Sequence, residues 1–320
     1  IEMKPISLKI KRQDGPHDKP YWQSFETPYR PFANVISCLQ EVQKNPVTIE
    51  GKKVAPVVWD CNCLEEVCGS CTMLVNGKVR QACTALIDNL EVTLTLEPMS
   101  KFPVLRDLQV DRSRMFENLK KTNSWIDIDG THDIGEGPTI PDQNRAISYV
   151  LSECMTCGCC LEACPQFSLN NSFLGAATFS QVRLFNMHPT GETQKEKRLE
   201  AVMQEGGIAD CGNAQVCLEV CPKKIPLTDS IAAIREYYQS NIKFDYIYID
   251  GSHIGTDILI DAIEAYKILN NDGILIFDDI DVSVKNKILN PINAVKIFYK
   301  LFKNNLNILY FKRLVVIKKK

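Results

Sequence analysis

Short alternations of apolar and polar residues dominate the first hundred positions. Ile6, Leu8 and Ile10 are separated by polar residues, and this period of two is typical of a half-buried strand. Similar strands are expected at 72–76 and 91–96, and an Asn-Gly pair at the end of the first of these favours a tight turn. The pattern predicts a small sheet.

One helix should interrupt the strands. Asn34 can cap it, Val35, Leu39 and Val42 would share one face, and Asn45-Pro46 should end it.

The character of the chain changes twice along its length. In the middle region, proline and glycine punctuate segments that are expected to be helices and irregular loops. In the last region cysteine disappears, and isoleucine, asparagine and lysine become frequent. These shifts predict three domains, at 1–105, 106–237 and 238–320.

The last domain has the pattern of a β-α-β unit. A strand is expected at 244–250, a helix at 256–269 and a second strand at 273–277, with the Asn-Asp-Gly before it ending the helix. A further helix at 292–304 and two short strands near 306–317 would complete the unit.

The charge balance excludes one large class of partner. Lysine and arginine number 37 and aspartate and glutamate 39, so there is no basic excess to neutralise nucleic-acid phosphates. No apolar run approaches the roughly 18 residues that a membrane span needs, and the start lacks the apolar core of a signal peptide. Any membrane attachment is therefore expected to go through a partner.

Cysteine changes the interpretation most. All 14 cysteines lie between Cys38 and Cys221. In a secreted chain they would suggest disulfides, but without an export signal metal ligation is favoured.

The first cysteine motif has the spacing C-x4-C-x2-C-x11-C. A plant-type [2Fe–2S] cluster uses a loop of this kind, with a fourth thiolate returning from later in the chain. A zinc site is the alternative, although its spacing fits the four-residue arm poorly. Cys61 is expected to be a free thiol beside the site, and Cys38 to pack in the helix core. The predicted ligands are Cys63, Cys68, Cys71 and Cys83.

Two later motifs repeat one spacing. The first is C-x2-C-x2-C-x3-C-P and starts at Cys154, and the second starts at Cys211 with Ala214 in place of its second cysteine. In two-cluster ferredoxins three cysteines of such a run bind one cluster, and the fourth crosses to the other cluster.

Counting ligands assigns different clusters to these two sites. Four thiolates should hold [4Fe–4S], whereas three should hold [3Fe–4S], because an iron without a thiolate is easily lost. The smaller ligand charge favours a higher potential at the second site. Zinc knuckles, or one cubane with spare cysteines, remain the alternative, and Cys159 is interpreted as non-ligating. The predicted ligands are Cys154, Cys157, Cys160 and Cys221 for [4Fe–4S], and Cys164, Cys211 and Cys217 for [3Fe–4S].

Four segments carry a resemblance to a known family. They are residues 62–71, 106–111, 154–160 and 221–227. With the order of the three motifs, they make residues 1 to about 237 resemble the iron–sulfur subunits of succinate dehydrogenase and fumarate reductase. The resemblance implies an α+β chain with an N-terminal β-grasp [2Fe–2S] ferredoxin domain, followed by a helical two-cluster ferredoxin-like domain.

The resemblance also implies an electron-transfer function. Electrons would pass from the FAD of a flavoprotein subunit through [2Fe–2S], [4Fe–4S] and [3Fe–4S] to a quinone at a cytochrome b-type membrane anchor. This chain would not bind succinate. It would lie peripherally on the cytoplasmic face of the bacterial inner membrane, held there by its partners.

The quinone type is inferred from positions at which this chain differs from members of the same family. Ubiquinone-linked relatives carry tryptophan and histidine where this chain has 166–169 and Gly212, so menaquinone is favoured. Pro165 and the loop around Asp210 are the candidates for lining the quinone site.

The last domain resembles a different family. Its Ile-Asp-Gly-Ser-His and Phe-Asp-Asp segments are similar to the C-terminal half of a class I S-adenosylmethionine-dependent methyltransferase. Asp250, Asp278 and Asp279 would stand where metal-dependent relatives hold a divalent cation. The glycine-rich turn that cradles the cofactor is absent, which disfavours activity. A partial Rossmann-like tail, fused between about Ile234 and Asn241, is expected.

The sequence therefore leaves three functional hypotheses. The first is the electron-transfer subunit of a succinate:quinone oxidoreductase. The second is an iron–sulfur subunit of another oxidoreductase, which Ala214 and the N-terminal motif disfavour. The third is a methyltransferase-like module with a vestigial ferredoxin, which the missing cofactor turn disfavours.

Overall fold

The structure is a computed structural model that divides the chain into two compact units, Ile1–Arg235 and Glu236–Lys320. The structure describes residues 5–91, 93–127, 139–241, 243–282 and 290–320. For residues 238–241 it describes the backbone but not the side chains.

A five-stranded sheet forms the beginning of the N-terminal unit. Its strands are β1 (Ile6–Arg12), β2 (Tyr21–Thr27), β3 (Thr72–Val75), β4 (Lys78–Gln81) and β5 (Thr93–Glu97). The spatial order is β2-β1-β5-β3-β4, in which β1 and β5 are parallel and the other neighbours are antiparallel. The strands that the alternation predicted are confirmed.

One helix, α1 (Val35–Lys44), packs on this sheet, and its start is fixed by a side chain. The Ser37 backbone N–H donates to Asn34 Oδ1 at 2.9 Å, which satisfies a donor that the first helical turn leaves free. Leu8, Ile10 and Leu39 are fully buried in the core between helix and sheet. The predicted cap and helix are confirmed.

A buried ion pair fixes the segment that leads into the first cysteine motif. Arg12 Nε lies 2.7 Å from Asp107 Oδ1, and both side chains are at most 1% exposed. Asp107 also accepts from the Val58 N–H at 2.9 Å, and Arg12 donates to Gln23 Oε1 at 2.8 Å. Because the buried charges are paired and hydrogen-bonded, the pair can hold β1 and the 55–58 segment together.

Helices and short loops make up the rest of the N-terminal unit. A small hairpin of β6 (Val104–Arg106) and β7 (Gln109–Val110) leads into them. The helices are α2 (Ser113–Lys121), α3 (Asp142–Ser152), α4 (Cys159–Ala163), α5 (Ala176–Met187), α6 (Pro189–Glu192), α7 (Lys195–Met203), α8 (Val216–Glu219) and α9 (Leu227–Asn241), of which α9 continues past the unit boundary at Arg235.

One buried carboxylate joins the sheet to this helical region. Glu162 on α4 accepts from the Ser100 N–H and hydroxyl at 2.9 and 2.6 Å, and from the Lys101 N–H at 3.0 Å. The 100–101 backbone follows β5, so α4 and its neighbouring cysteines are fixed relative to the sheet.

The C-terminal unit has a sheet and core of its own. Its elements are β8 (Phe244–Ile249), α10 (Gly255–Ile268), β9 (Leu269–Phe277), α11 (Pro291–Phe302), β10 (Leu306–Phe311) and β11 (Val315–Lys319). The sheet order is β10-β11-β9-β8, with β8 and β9 parallel. Phe277 of β9 and Phe298 of α11 are almost completely buried in its core. The predicted β-α-β order is confirmed.

The predicted turn before the second strand of this unit is wrong. Helix α10 ends at Ile268 and β9 begins at the next residue, so 271–273 belong to the strand. Phe244 pairs with Leu269, whereas Tyr246 pairs with Ile274, so these residues form a bulge in β9.

The expected fusion point lies within a single helix, because α9 runs through residues 234 to 241. Among the described residues, no helix has both the length and the apolar character needed to cross a bilayer.

Candidate metal centres

The loop that begins at Cys63 directs backbone N–H groups at a sulfur. The N–H groups of Glu65, Val67 and Cys68 lie 3.4, 3.3 and 3.3 Å from Cys63 Sγ. Donors of this kind stabilise a thiolate and help to set the potential of an iron–sulfur centre.

This loop adopts backbone conformations that ordinary residues avoid. Leu64 and Glu66 have φ values of 62° and 56°, and each costs about 1–2 kcal/mol in this left-handed region. Glu66 Oε1 accepts from Thr84 Oγ1 at 2.7 Å. Since Thr84 follows Cys83, the bond ties the returning fourth cysteine to the loop.

The four thiols of the first motif differ in their electrostatic surroundings. Burial raises the pKa of Cys71 to about 12, and its side chain is hydrogen-bonded to Cys83. Burial would also raise the pKa of Cys68, but hydrogen bonds from Ser70 and Cys63 outweigh it and lower the value to about 6. Such a set loses protons when a metal binds, because the ligands must be thiolates.

The second predicted set lines one cavity. Burial raises the pKa of Cys154 to about 11, and burial also raises the pKa of Cys160 well above its ordinary value. The predicted ligands that border the cavity are Cys154, Cys157, Cys160 and the crossing Cys221.

The third predicted set borders another cavity. It is lined by Cys211, Cys217 and the crossing Cys164, and Ala214 lies on the same wall. Burial raises the pKa of Cys217, and the neighbouring Cys164 and Cys211 raise it further. The structure thus places each crossing cysteine beside the run to which the sequence assigned it.

The two cysteine loops share one backbone conformation, which sequence alone did not reveal. Thr156 and Gly158 flank Cys157 with φ values of 51° and 86°. Asn213 and Gln215 flank Ala214 with φ values of 56° and 61°. Ala214 therefore occupies the position in its loop that Cys157 occupies in the other loop.

These sites fit iron–sulfur clusters in their donor chemistry and space. Each predicted set consists of thiols, the later two sets surround cavities, and the first has several N–H groups directed at sulfur. Within the described ranges, no three histidine, cysteine, aspartate or glutamate side chains converge on a point suited to a single metal ion.

The first and second loops touch through their backbones. A Cβ built on Gly69 would lie 2.7 Å from Cys157 Cα, a distance that real Cβ atoms essentially never show. Gly69 is therefore required both for its φ of 71° and for this close approach.

The remaining cysteines lie outside the three sets. Cys38 is buried in the sheet core, and Cys61 is exposed. Cys159 is buried and borders the second cavity, and its sulfur lies 3.5 Å from Gln81 Nε2. That Cys159 is non-ligating stays a prediction.

The two quinone-site candidates line one surface cleft. Pro165 and Asp210 border it, and Asp210 Oδ2 accepts from the Gly206 N–H at 2.8 Å. Gln166 and Phe173 line both this cleft and the third thiol cavity, so the two spaces are neighbours.

The three aspartates of the C-terminal unit, which the sequence suggested as cation ligands, include two that interact with other side chains. The Tyr248 hydroxyl donates to Asp278, and Arg313 pairs with Asp279 at 2.9 Å. Two of the three candidate cation ligands therefore already have protein partners.

Comparison with known proteins identifies relatives of the N-terminal unit. Residues 7–117 match the 2Fe-2S iron-sulfur cluster binding domain family, and residues 150–225 match the 4Fe-4S dicluster domain family. Over 233 residues the chain is 60% identical to the succinate dehydrogenase iron-sulfur subunit of Bacillus subtilis (strain 168), covering 73% of this chain and 92% of that protein.

Two further relatives are more distant. The fumarate reductase iron-sulfur subunit of Wolinella succinogenes is 30% identical over 221 residues, which cover 68% of this chain and 89% of that protein. A chain of the Mycobacterium smegmatis Sdh1 complex in the apo form superposes with a TM-score of 0.62 at 22% identity, covering 73% of this chain and 95% of that chain. The superposition shows a shared fold.

We predict that Gly69→Ala will be far more damaging than Gly77→Ala. Both glycines have φ values near 70°, so both alanines carry a similar left-handed cost of about 1–2 kcal/mol. Only at Gly69 does the added Cβ meet another loop, whereas nothing lies within 4 Å at Gly77. Gly69→Ala should lower the melting temperature and the iron and acid-labile sulfide content more than Gly77→Ala. Equal losses in both variants would contradict this account.

Proposed function

Because the chain belongs to the family of succinate dehydrogenase and fumarate reductase iron–sulfur subunits, we infer that it is the electron-transfer subunit of such an oxidoreductase. We propose that electrons pass between the FAD of a flavoprotein subunit and a membrane quinone. When bound, [2Fe–2S], [4Fe–4S] and [3Fe–4S] centres would supply one-electron redox chemistry. The chain contributes the ligands, the N–H donors and the burial.

The proposed ligands follow from the loops described above. Each set combines cysteines from one run with one cysteine from elsewhere in the chain. The proposed assignments are Cys63, Cys68, Cys71 and Cys83 for [2Fe–2S], Cys154, Cys157, Cys160 and Cys221 for [4Fe–4S], and Cys164, Cys211 and Cys217 for [3Fe–4S].

The observation that carries this assignment is the pair of matching loops with Ala214 in one and Cys157 in the other. Because Ala214 offers no donor atom, the third site has one thiolate fewer than the second. Less negative ligand charge favours a higher potential, so electrons should tend to collect at the third site.

We propose that the quinone binds in the cleft bordered by Pro165 and Asp210. Support comes from Gln166 and Phe173, which line both this cleft and the third thiol cavity. Menaquinone remains the proposed quinone. The partners would be a flavoprotein subunit and a cytochrome b-type anchor, with the chain on the cytoplasmic face of the inner membrane.

For the C-terminal unit, a partial Rossmann-like fold stays a prediction. The parallel pair of β8 and β9, joined by α10, supports it. Both family matches end before this unit. The proposed domain boundaries near 105 and 237 and the resemblance to a methyltransferase also stay predictions.

We predict that Ala214→Cys will convert the third centre from [3Fe–4S] to [4Fe–4S]. The left-handed neighbours Asn213 and Gln215 should present the new thiol as Thr156 and Gly158 present Cys157. In electron paramagnetic resonance, the oxidised-state [3Fe–4S] signal should disappear and a signal of a reduced [4Fe–4S] centre should replace it.

The matched control is Ala214→Val, which changes the same side chain but adds no donor atom. It should retain the oxidised-state signal. If the Ala214→Cys protein keeps an unaltered third centre, the proposed ligand assignment is wrong.

We also predict that Asp210→Asn will weaken quinone use without altering the third centre. The amide keeps the shape and can still accept from the Gly206 N–H, but it lacks the charge. In the assembled complex with the quinol as substrate, whose hydroxyl can donate to this carboxylate, the KM should rise about tenfold, the equivalent of about 1.4 kcal/mol for a weakened charged hydrogen bond. Glu205→Gln, which removes another carboxylate from the same cleft, should have little effect. Equal KM values for Asp210→Asn and the unaltered chain would contradict the proposed site.

A further inference from the structure

Arg112 connects the backbone of the first cysteine loop to the start of a helix. It directly precedes α2, and its Nη1 and Nη2 donate to the carbonyl oxygens of Gly69 and Ser70 at 2.5 and 2.6 Å. These two carbonyls lie between Cys68 and Cys71, two proposed ligands of the first site. The planar guanidinium suits such a two-point contact.

The positive charge of Arg112 is not matched by a carboxylate bonded to it. Both terminal nitrogens are engaged by carbonyl oxygens, and the buried Nε has no hydrogen-bond partner among the described residues. Asp60 contributes a favourable charge interaction but is not one of these bonded partners. A cation held away from water in this way is unfavourable unless negative charge is nearby.

The groups that interact electrostatically with Arg112 are Asp60 and three cysteines, two of which belong to the first two proposed sites. Burial lowers the pKa of Arg112, whereas Asp60, Cys157, Cys71 and Cys159 each act to raise it. Cys71 belongs to the proposed [2Fe–2S] set and Cys157 to the proposed [4Fe–4S] set. The guanidinium therefore lies where the two sets meet, beside the Gly69–Cys157 contact.

We propose that Arg112 is a positioning residue shared by the first two centres, and that its charge raises the reduction potential of both. This inference rests on the proposed ligand assignment. Reduction adds one negative charge to a centre, and a nearby fixed cation stabilises the reduced form more than the oxidised form. The two carbonyl contacts hold the cation in place, so its effect is built into the fold.

The neighbouring Arg114 provides a matched control. It lies in the first turn of α2, is partly buried, and donates to a backbone carbonyl, that of Phe173, at 3.0 Å. Its guanidinium lies 4.0 Å from the centre of the Phe167 ring. Burial alone lowers its pKa, without any contribution from a cysteine. Removing this charge should therefore leave the first two centres unaffected.

The test is a redox titration followed by electron paramagnetic resonance on the full chain in its complex. Arg112→Gln removes the charge but keeps a donor, Arg112→Lys keeps both charge and donor, and Arg114→Gln is the control. Arg112→Gln should shift the reduction equilibria of the first two centres about tenfold toward the oxidised form, equal to about 59 mV for a one-electron couple. Arg112→Lys should shift them less than threefold, and the third centre should not shift in either Arg112 variant.

Two results would overturn the inference. One is an Arg112→Gln protein whose first two potentials match those of the unaltered chain, and the other is an equal shift in the Gln and Lys variants. If an Arg112 variant loses the first centre, the reduction potential of the second centre alone tests the inference. Failure of the ligand assignment would look different, because the unaltered chain itself would then lack the three cluster signals.

Discussion

The structure depends on a set of buried thiols, several of which are not easily charged until a metal binds them. Burial raises the pKa of Cys71 and Cys154 to about 12 and about 11, so at neutral pH these thiols hold their protons unless a cation replaces them. Iron provides that replacement, and each deprotonated sulfur then needs hydrogen-bond donors and a shielded position. The left-handed loop residues, the N–H groups around Cys63 and the buried Arg112 all serve this one requirement.

The helical region contains two cysteine loops that match each other. The two runs match in spacing and in the placement of their left-handed residues, and each receives one crossing cysteine from the other run. A single difference, alanine for cysteine at 214, then makes the sites unequal. An asymmetry in ligand charge gives a chain of centres a direction, since the electron is most stable where the negative ligand charge is smallest.

Much of this arrangement could be predicted from the sequence, because cysteine spacing is a strong constraint. The strands around Leu8, the cap at Asn34 and the family resemblance were predicted, and the resemblance is confirmed by 60% identity to a succinate dehydrogenase iron-sulfur subunit. Arg112 was missed, because no motif marks a residue whose role depends on which loops fold against it. The bulge in β9 was missed because Asn-Asp-Gly favours a turn locally, and strand pairing overrode that preference.

The central claim is that thiols of this chain hold three inorganic clusters of unequal ligand number. Analysis of metal and acid-labile sulfide in anaerobically purified protein tests it most directly. The account predicts about nine iron atoms and about ten sulfides per chain, the content of one [2Fe–2S], one [4Fe–4S] and one [3Fe–4S] centre. Protein that contains zinc in place of iron, and no acid-labile sulfide, would contradict it.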